Sequence, residues 1–175
     1  MRTEIILSIV ILLLIACDKE PKFKVGQEHE GGIIFYVDPS GEHGLIAARV
    51  DQGEAEWGCQ TVKISGAEGT VIGTGQQNTI DIINGCSISN IAARLCSDLV
   101  LNGYDDWYLP SKDELYQLYL KKDIVGNFAN DVEAPYWSST EREIYDSAWR
   151  QLFAYNEQTN YDKYRIFNVR AIRNF

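Results

Sequence analysis

The chain has 175 residues, with 25 Asp or Glu against 16 Lys or Arg, a formal net charge of -9. That acidity argues against nucleic acid and against anionic lipid headgroups as partners, because both surfaces repel an acidic protein. Beyond the apolar start, about 150 residues remain, enough for one domain with a sizeable core.

Arg2 gives the chain a positive start, and residues 5–15 form an apolar run broken only by Ser8. About eleven apolar residues suit a signal-peptide core, whereas a membrane-spanning helix needs roughly 20. The run ends Leu14-Ile15-Ala16-Cys17, which resembles the bacterial lipobox. The resemblance implies a diacylglycerol in thioether linkage on Cys17, acyl chains such as palmitate, and cleavage after Ala16. An ordinary secretory signal and a short core helix are the competing readings. Under the lipoprotein reading, residues 1–16 are the signal peptide, 17–25 are the lipidated cysteine with a charged tether, and 26–175 are the domain. Each buried acyl CH₂ contributes about 0.8 kcal/mol, so several chains make the membrane a durable partner through Cys17. The expected location is the cell envelope, lipid-anchored. The outer membrane or cell surface is favoured, and Asp18 leaves the periplasmic face of the inner membrane open.

Three cysteines remain after lipidation: Cys59, Cys86 and Cys96. An exported compartment permits disulfides, and an odd count allows one bridge and one free thiol. Loop-like surroundings favour Cys59–Cys86, with Cys86–Cys96 second. Cys96 falls in an apolar helical pattern and reads as a small buried hydrophobe.

Gly31-Gly32 introduces the β-branched and aromatic run Ile33-Ile34-Phe35-Tyr36-Val37. The turn Asp38-Pro39-Ser40-Gly41 and the run Gly44-Leu45-Ile46-Ala47-Ala48 complete a predicted hairpin. Residues 51–80 are rich in Gly and polar residues around a lone Trp57, and are expected to be irregular. Residues 87–101 carry Ile88, Ile91, Ala92, Leu95, Cys96 and Leu99 at helical spacing, with Asn102-Gly103 as a stop. Ser111-Lys112-Asp113-Glu114 is a capping box opening a second helix that ends near Lys121-Lys122. Residues 136–140, 148–155 and 166–173 read as strands, the last with Val169 and Ala171 on one face and Ile166, Asn168, Arg170 and Ile172 on the other. Arg170 and Arg173 are candidates to pair with Asp106 or Glu114. The order gives an α+β fold with antiparallel pairing, without internal repeat or second domain.

Several of these blocks together resemble the Lcl C-terminal-like domain family. They are Gly31-Gly32-Ile33-Ile34-Phe35-Tyr36, Ile72-Gly73-Thr74-Gly75-Gln76-Gln77-Asn78-Thr79, Ala92-Ala93-Arg94-Leu95-Cys96, Gly103 through Leu115 with its Trp107-Tyr108-Leu109-Pro110-Ser111 centre, Tyr136-Trp137-Ser138-Ser139-Thr140-Glu141, and Val169-Arg170-Ala171-Ile172-Arg173. The resemblance implies a C-type-lectin-like fold. With the elements above, that means two helices, short antiparallel β-sheets and long irregular loops. It also implies a bacterial surface or secreted location.

Motifs of catalysis are absent from the sequence: no His-Glu-x-x-His, Gly-x-Ser-x-Gly or phosphate loop occurs, and the only histidines are His29 and His43. No cofactor is expected. No Cys-x-x-Cys occurs, and a metal site is not expected. Asp105-Asp106 and Glu141-x-Glu143 could offer oxygens to calcium, but solvated faces account for them as well. The binding signal lies in residues 141–165, where Tyr145, Trp149, Tyr155, Asn156, Asn160, Tyr161 and Tyr164 are interleaved with small polar residues. Tyr supplies large contact area at low entropic cost, and aromatic faces stack on sugar rings. Cross-strand packing accounts for about half of these aromatics. The expected function is recognition of a glycan or protein ligand at the envelope. A structural or assembly lipoprotein without a dedicated ligand is the alternative, and an enzyme without a visible motif is a minor one.

Overall fold

The computed structural model describes residues 22–129, 134–144 and 146–175. Cys17, expected to carry the lipid, the segment 1–16 expected to be a signal peptide, and Tyr145 lie outside the described residues. The first sheet is built on the glycine-led hairpin: β1 (Glu28–His29), β2 (Gly32–Val37) and β3 (Gly44–Ala48), joined by β9 (Ile172–Asn174) in the order β1-β2-β3-β9. Asp38 Oδ1 accepts the amides of Ser40 at 3.0 Å and Gly41 at 3.2 Å, closing the hairpin turn. Strands β2 and β3 are continuous apolar runs because both their faces are covered. Ile34 and Ile46 enter one core, while Ile33, Phe35, Leu45 and Ala47 enter another.

The second sheet contains β4 (Gly53–Glu56), β5 (Pro135–Glu141), β6 (Ser147–Leu152), β7 (Glu157–Asp162) and β8 (Ile166–Val169), in the order β4-β8-β5-β6-β7. Its β5–β8 pair is parallel, in register at Tyr136 and Asn168, and the sheet is therefore mixed. The helices are α1 (Gly75–Gly85), α2 (Ala92–Ser97), α3 (Lys112–Leu120) and α4 (Lys122–Val125). Two helices with short antiparallel sheets, the arrangement expected from the sequence, is thus corrected to four helices, one antiparallel sheet and one mixed sheet among the described residues, within the α+β class.

Helix α1 occupies part of the stretch expected to be irregular. Its buried positions are Gly75, Asn78, Thr79 and Ile82, so its inward face is mostly polar and carries no apolar stripe. Distant groups satisfy that face. Asn78 donates to the Gly69 carbonyl at 2.7 Å, and the Thr79 hydroxyl accepts the Leu109 amide at 3.0 Å. Gly75 is required by close approach: a Cβ there would lie 2.7 Å from the Ser111 nitrogen and closer still to Glu114 Oε2. Helix α2 is shorter than its apolar spacing suggests, because Asn90 sits at φ 59° and Ile91 is extended.

Helix α3 opens on the complete capping box. Ser111 Oγ accepts the Glu114 amide at 3.3 Å, and Glu114 Oε2 accepts the Ser111 amide at 2.7 Å. Glu114 Oε1 also accepts the Gly73 amide at 2.8 Å, fastening the loop before α1 to α3. Burial pushes this carboxyl above its usual range, against the pull of those amides.

The segment read as one strand over 166–173 is two strands in different sheets, with Arg170 and Ala171 at the crossing. Arg170 is fully buried there. It donates to Asp51 Oδ1 at 2.7 Å, to the Ala48 carbonyl at 3.0 Å and to the Asn127 carbonyl at 2.6 Å. Arg173 takes Asp106 and Glu30. Neither arginine pairs with Glu114, which serves the backbone instead. Trp57, Trp107 and Trp137 fill the first core, and their indole nitrogens donate to the carbonyls of Ser138, Tyr104 and Ala55 at 2.9, 3.2 and 3.0 Å. Each large ring is thereby buried without orphaning its one polar atom.

Candidate functional site

The β6–β7 hairpin forms the outer margin of the second sheet. Its register runs from Ser147↔Asp162 to Leu152↔Glu157. The period of two sorts its side chains into two faces. One face carries Trp149 and Gln158 toward α3. The Lys112 ammonium lies 4.3 Å from the Trp149 ring centroid, and the Gln158 side chain donates to the Lys112 carbonyl at 2.8 Å. Trp149 is therefore a packing residue of the α3 contact. The other face carries Arg150 and Tyr161. The Arg150 guanidinium lies 4.5 Å from the Tyr161 ring and 5.5 Å from that of Phe167.

A groove of about 400 Å³ opens where the β5–β6 connection meets the end of β7. Arg142, Asp146 and Ser147 line it from the connection side, and Asn160, Tyr161 and Asp162 from β7. Arg142 donates to Asn160 Oδ1 at 3.1 Å, which fixes that amide against the wall. Tyr161 is 42% exposed and lines the groove, with its ring on the sheet face of Arg150, opposite the side chains of Asn160 and Asp162. The floor is rigid. Lys163 and Glu141, both with no exposed side-chain surface, form a buried ion pair. Lys163 donates to the Val62 carbonyl at 2.8 Å, and Glu141 accepts the Ile64 amide at 3.1 Å. Burial lowers the lysine's proton affinity while its glutamate partner opposes that effect.

Of the residues singled out in the sequence, Asn160 and Tyr161 meet in this groove. Tyr155 and Asn156 are exposed in the β6–β7 turn at the opposite end of the hairpin, roughly 20 Å away along the strand. There Phe153 and Ala154 border a separate groove of about 370 Å³ with Lys122 and Phe128. Tyr164 is exposed after β7, with the Arg165 guanidinium 5.2 Å from its ring. Composition does not mark Arg142, Asp146 or Asp162, which read as ordinary solvated charges. The signal that finds them is strand register, since a short connection before Ser147 must return opposite the end of β7.

Cys59 and Cys86 form a disulfide with Cα atoms 5.7 Å apart, tying the loop after β4 to the end of α1. Cys96 is free and fully buried, and burial pushes its thiol far above the usual range, leaving an inert core residue. Asp106 and Glu141, two of the acidic groups weighed for calcium, are held by Arg173 and Lys163. Among the described residues, no group of three or more His, Cys, Asp or Glu side chains could hold a metal ion. No helix of the described residues is long and apolar enough to cross a membrane.

No curated protein matches the chain. The model of the Lcl C-terminal domain family matches residues 54–173, most of the chain, and the chain belongs to that family. Membership supports a lectin-like domain of the cell surface or envelope in general terms, with binding rather than catalysis as its role.

Proposed function

With that family as premise, we propose that this protein is a lipid-anchored envelope module that recognises a glycan or protein ligand in the groove beside β7. One observation carries the reading: Arg142, Asp146, Asn160 and Asp162 line one concavity together with Tyr161. A concavity with several fixed hydrogen-bonding groups and an exposed tyrosine at its margin is the ordinary composition of a site for a polar ligand. The buried Lys163–Glu141 ion pair, whose members adjoin Asp162 and Arg142 in the chain, favours a preformed site, which reduces the ordering cost of binding. The lipobox at Cys17 supports attachment to the envelope by acyl chains, with the outer membrane or cell surface favoured.

The test is a glycan array, run in parallel with crosslinking and capture from intact envelopes, using the full chain in detergent. A ligand whose capture depends on Tyr161 supports the reading. Captured ligands that are all indifferent to Tyr161→Ala and Asn160→Ala would remove the groove from the account.

A further inference from the structure

The chain enters the fold at a fixed point. The Phe23 ring packs 4.8 Å from those of His29 and Phe175, and the Gly26 amide donates to the Ile34 carbonyl at 2.8 Å. The Lys24 carbonyl accepts the Gln27 amide at 3.1 Å, turning the chain into β1. Ahead of Lys22, five residue steps lead back to Cys17. A chain gains at most about 3.6 Å per residue, so the Cys17 and Lys22 backbones stand no more than about 18 Å apart, whatever path joins them.

An apolar surface lies beside that entry. A Cβ on Gly26 would stand 3.0 Å from Ile124 Cγ2, so the entering chain lies against α4. Ile124 is 53% exposed, Leu120 at the end of α3 is 48% exposed, and Val25, next to Gly26, is 37% exposed. The Lys121 carbonyl accepts the Ile124 amide at 3.0 Å, which carries the helical turn across the α3–α4 junction between Leu120 and Ile124. Leu118 and Val125 enter the core that holds Phe35, which leaves Leu120 and Ile124 to the outer side of the junction. Aliphatics scattered over a surface need no explanation. These three lie at the one point that a lipid on Cys17 would hold close to a bilayer.

The charges around them are mixed. Lys22, Lys24 and Lys121 stand against Asp123, and Asp18, Lys19 and Glu20 lie in the joining segment. Glu28 is held by Arg49. Charge therefore does not choose the partner, whereas reach does. The same junction is remote from the groove. The Lys122 ammonium donates to the Phe153 carbonyl at 2.5 Å, which sets the start of α4 beside the β6–β7 turn. The groove residues Asn160 to Asp162 occupy the other end of that hairpin, roughly 17 Å along the strands.

Resting on the lipid-anchor reading above, we infer that Val25, Leu120 and Ile124 form a contact face that docks the domain on the bilayer holding its own anchor. The occupant is the boundary between headgroups and acyl chains of that leaflet, and a zwitterionic lipid suffices. Once the anchor is inserted the contact is intramolecular, so a patch too small to bind vesicles by itself still docks. The groove is then carried at the end of the hairpin away from the contact.

The experiment uses the lipidated full chain in phosphatidylcholine vesicles. Cys59 and Cys86 are bridged, Cys96 is buried and Cys17 carries the lipid, so one introduced cysteine is the accessible thiol. A fluorophore on Ile124→Cys or on Tyr164→Cys, an exposed site at the groove end, is read against a nitroxide quencher on the lipid headgroup. The Ile124→Cys probe should lose fluorescence and the Tyr164→Cys probe should keep it. About ten Gly and Ser residues inserted before Lys22 lengthen the tether and leave the face intact, so quenching should persist. In that lengthened chain, Val25→Glu with Leu120→Glu should abolish quenching, with unchanged melting curves as proof of folding. Equal quenching at both sites, its loss on lengthening alone or its survival with both glutamates would overturn the inference. Crosslinking of Ile124→Cys to itself in place of quenching would also overturn it, by making the face a contact between copies. A chain that the vesicles fail to retain would remove the lipid-anchor reading and this inference together. Retention without quenching would remove only the contact face.

Discussion

Arg173 grips Asp106 through two parallel hydrogen bonds, Nε to Oδ1 at 2.6 Å and Nη2 to Oδ2 at 2.9 Å. The same guanidinium reaches Glu30 at 2.5 Å and covers the Tyr104 ring, its carbon 4.1 Å from the centroid. One side chain on the last strand therefore joins the start of the first sheet to the extended link before α3. An ammonium has no planar fork for this geometry, so Arg173→Lys is expected to cost about 2 kcal/mol, read by urea unfolding.

That pair also sets an acid limb. Arg173 holds the Asp106 carboxyl below its usual range, so the folded state keeps the carboxylate charged when the unfolded chain would begin to protonate it. The stabilisation is complete above the ordinary aspartate pKa and is lost as pH falls through the lower folded value. Unfolding of Asp106→Asn from neutral to acid pH should show a shallower loss of stability than the parent.

Glu114 works in the opposite sense. Its raised proton affinity means that folding disfavours the charged form, so its contribution declines as pH rises from the ordinary glutamate value through the higher folded value. Glu114→Gln removes that titration but puts an NH₂ group against the amide of Gly73 or Ser111, where only an acceptor fits. A net loss of about 2 kcal/mol is expected, with a flatter pH profile, measured by the same unfolding series.

The capping box was legible because it is local: Ser111 and Glu114 are three residues apart and satisfy each other's backbone. Helix α1 was not, because the partners of Asn78 and Thr79 lie at Gly69, Ser139 and Leu109, which periodicity cannot see. The tail misled for a related reason. Alternation assumes one sheet with two faces, whereas residues 169–172 are all buried where the chain passes between sheets. At the candidate site, the Tyr and Asn composition marks the β6–β7 hairpin but does not separate the groove end, with Asn160 and Tyr161, from the turn end, with Tyr155 and Asn156. Strand register separates them.

The Cys59–Cys86 bridge closes a loop with a sequence separation of 27 residues. Chain-entropy arguments give such a loop about 3 kcal/mol, so Cys59→Ser with Cys86→Ser should lower Tm by about 8 °C. Cys96 should resist thiol reagents in the folded protein and react fully only in denaturant, which thiol counting checks directly.

Lipid attachment is open to metabolic labelling. Labelled palmitate should enter the wild-type protein and should fail to enter Cys17→Ser, which would then leave the membrane fraction. Labelling that persists in Cys17→Ser would refute the assignment of the anchor.

The central claim is that recognition occurs at the groove end of the β6–β7 hairpin. The most direct measurement compares Tyr161→Ala with Tyr155→Ala on one glycan and envelope-ligand panel, against the wild-type chain. Removing an aromatic anchor from a binding site should weaken capture at least about tenfold for Tyr161→Ala, while Tyr155→Ala stays close to wild type. Capture that survives Tyr161→Ala and fails with Tyr155→Ala would contradict the account and move the site to the opposite end of the hairpin.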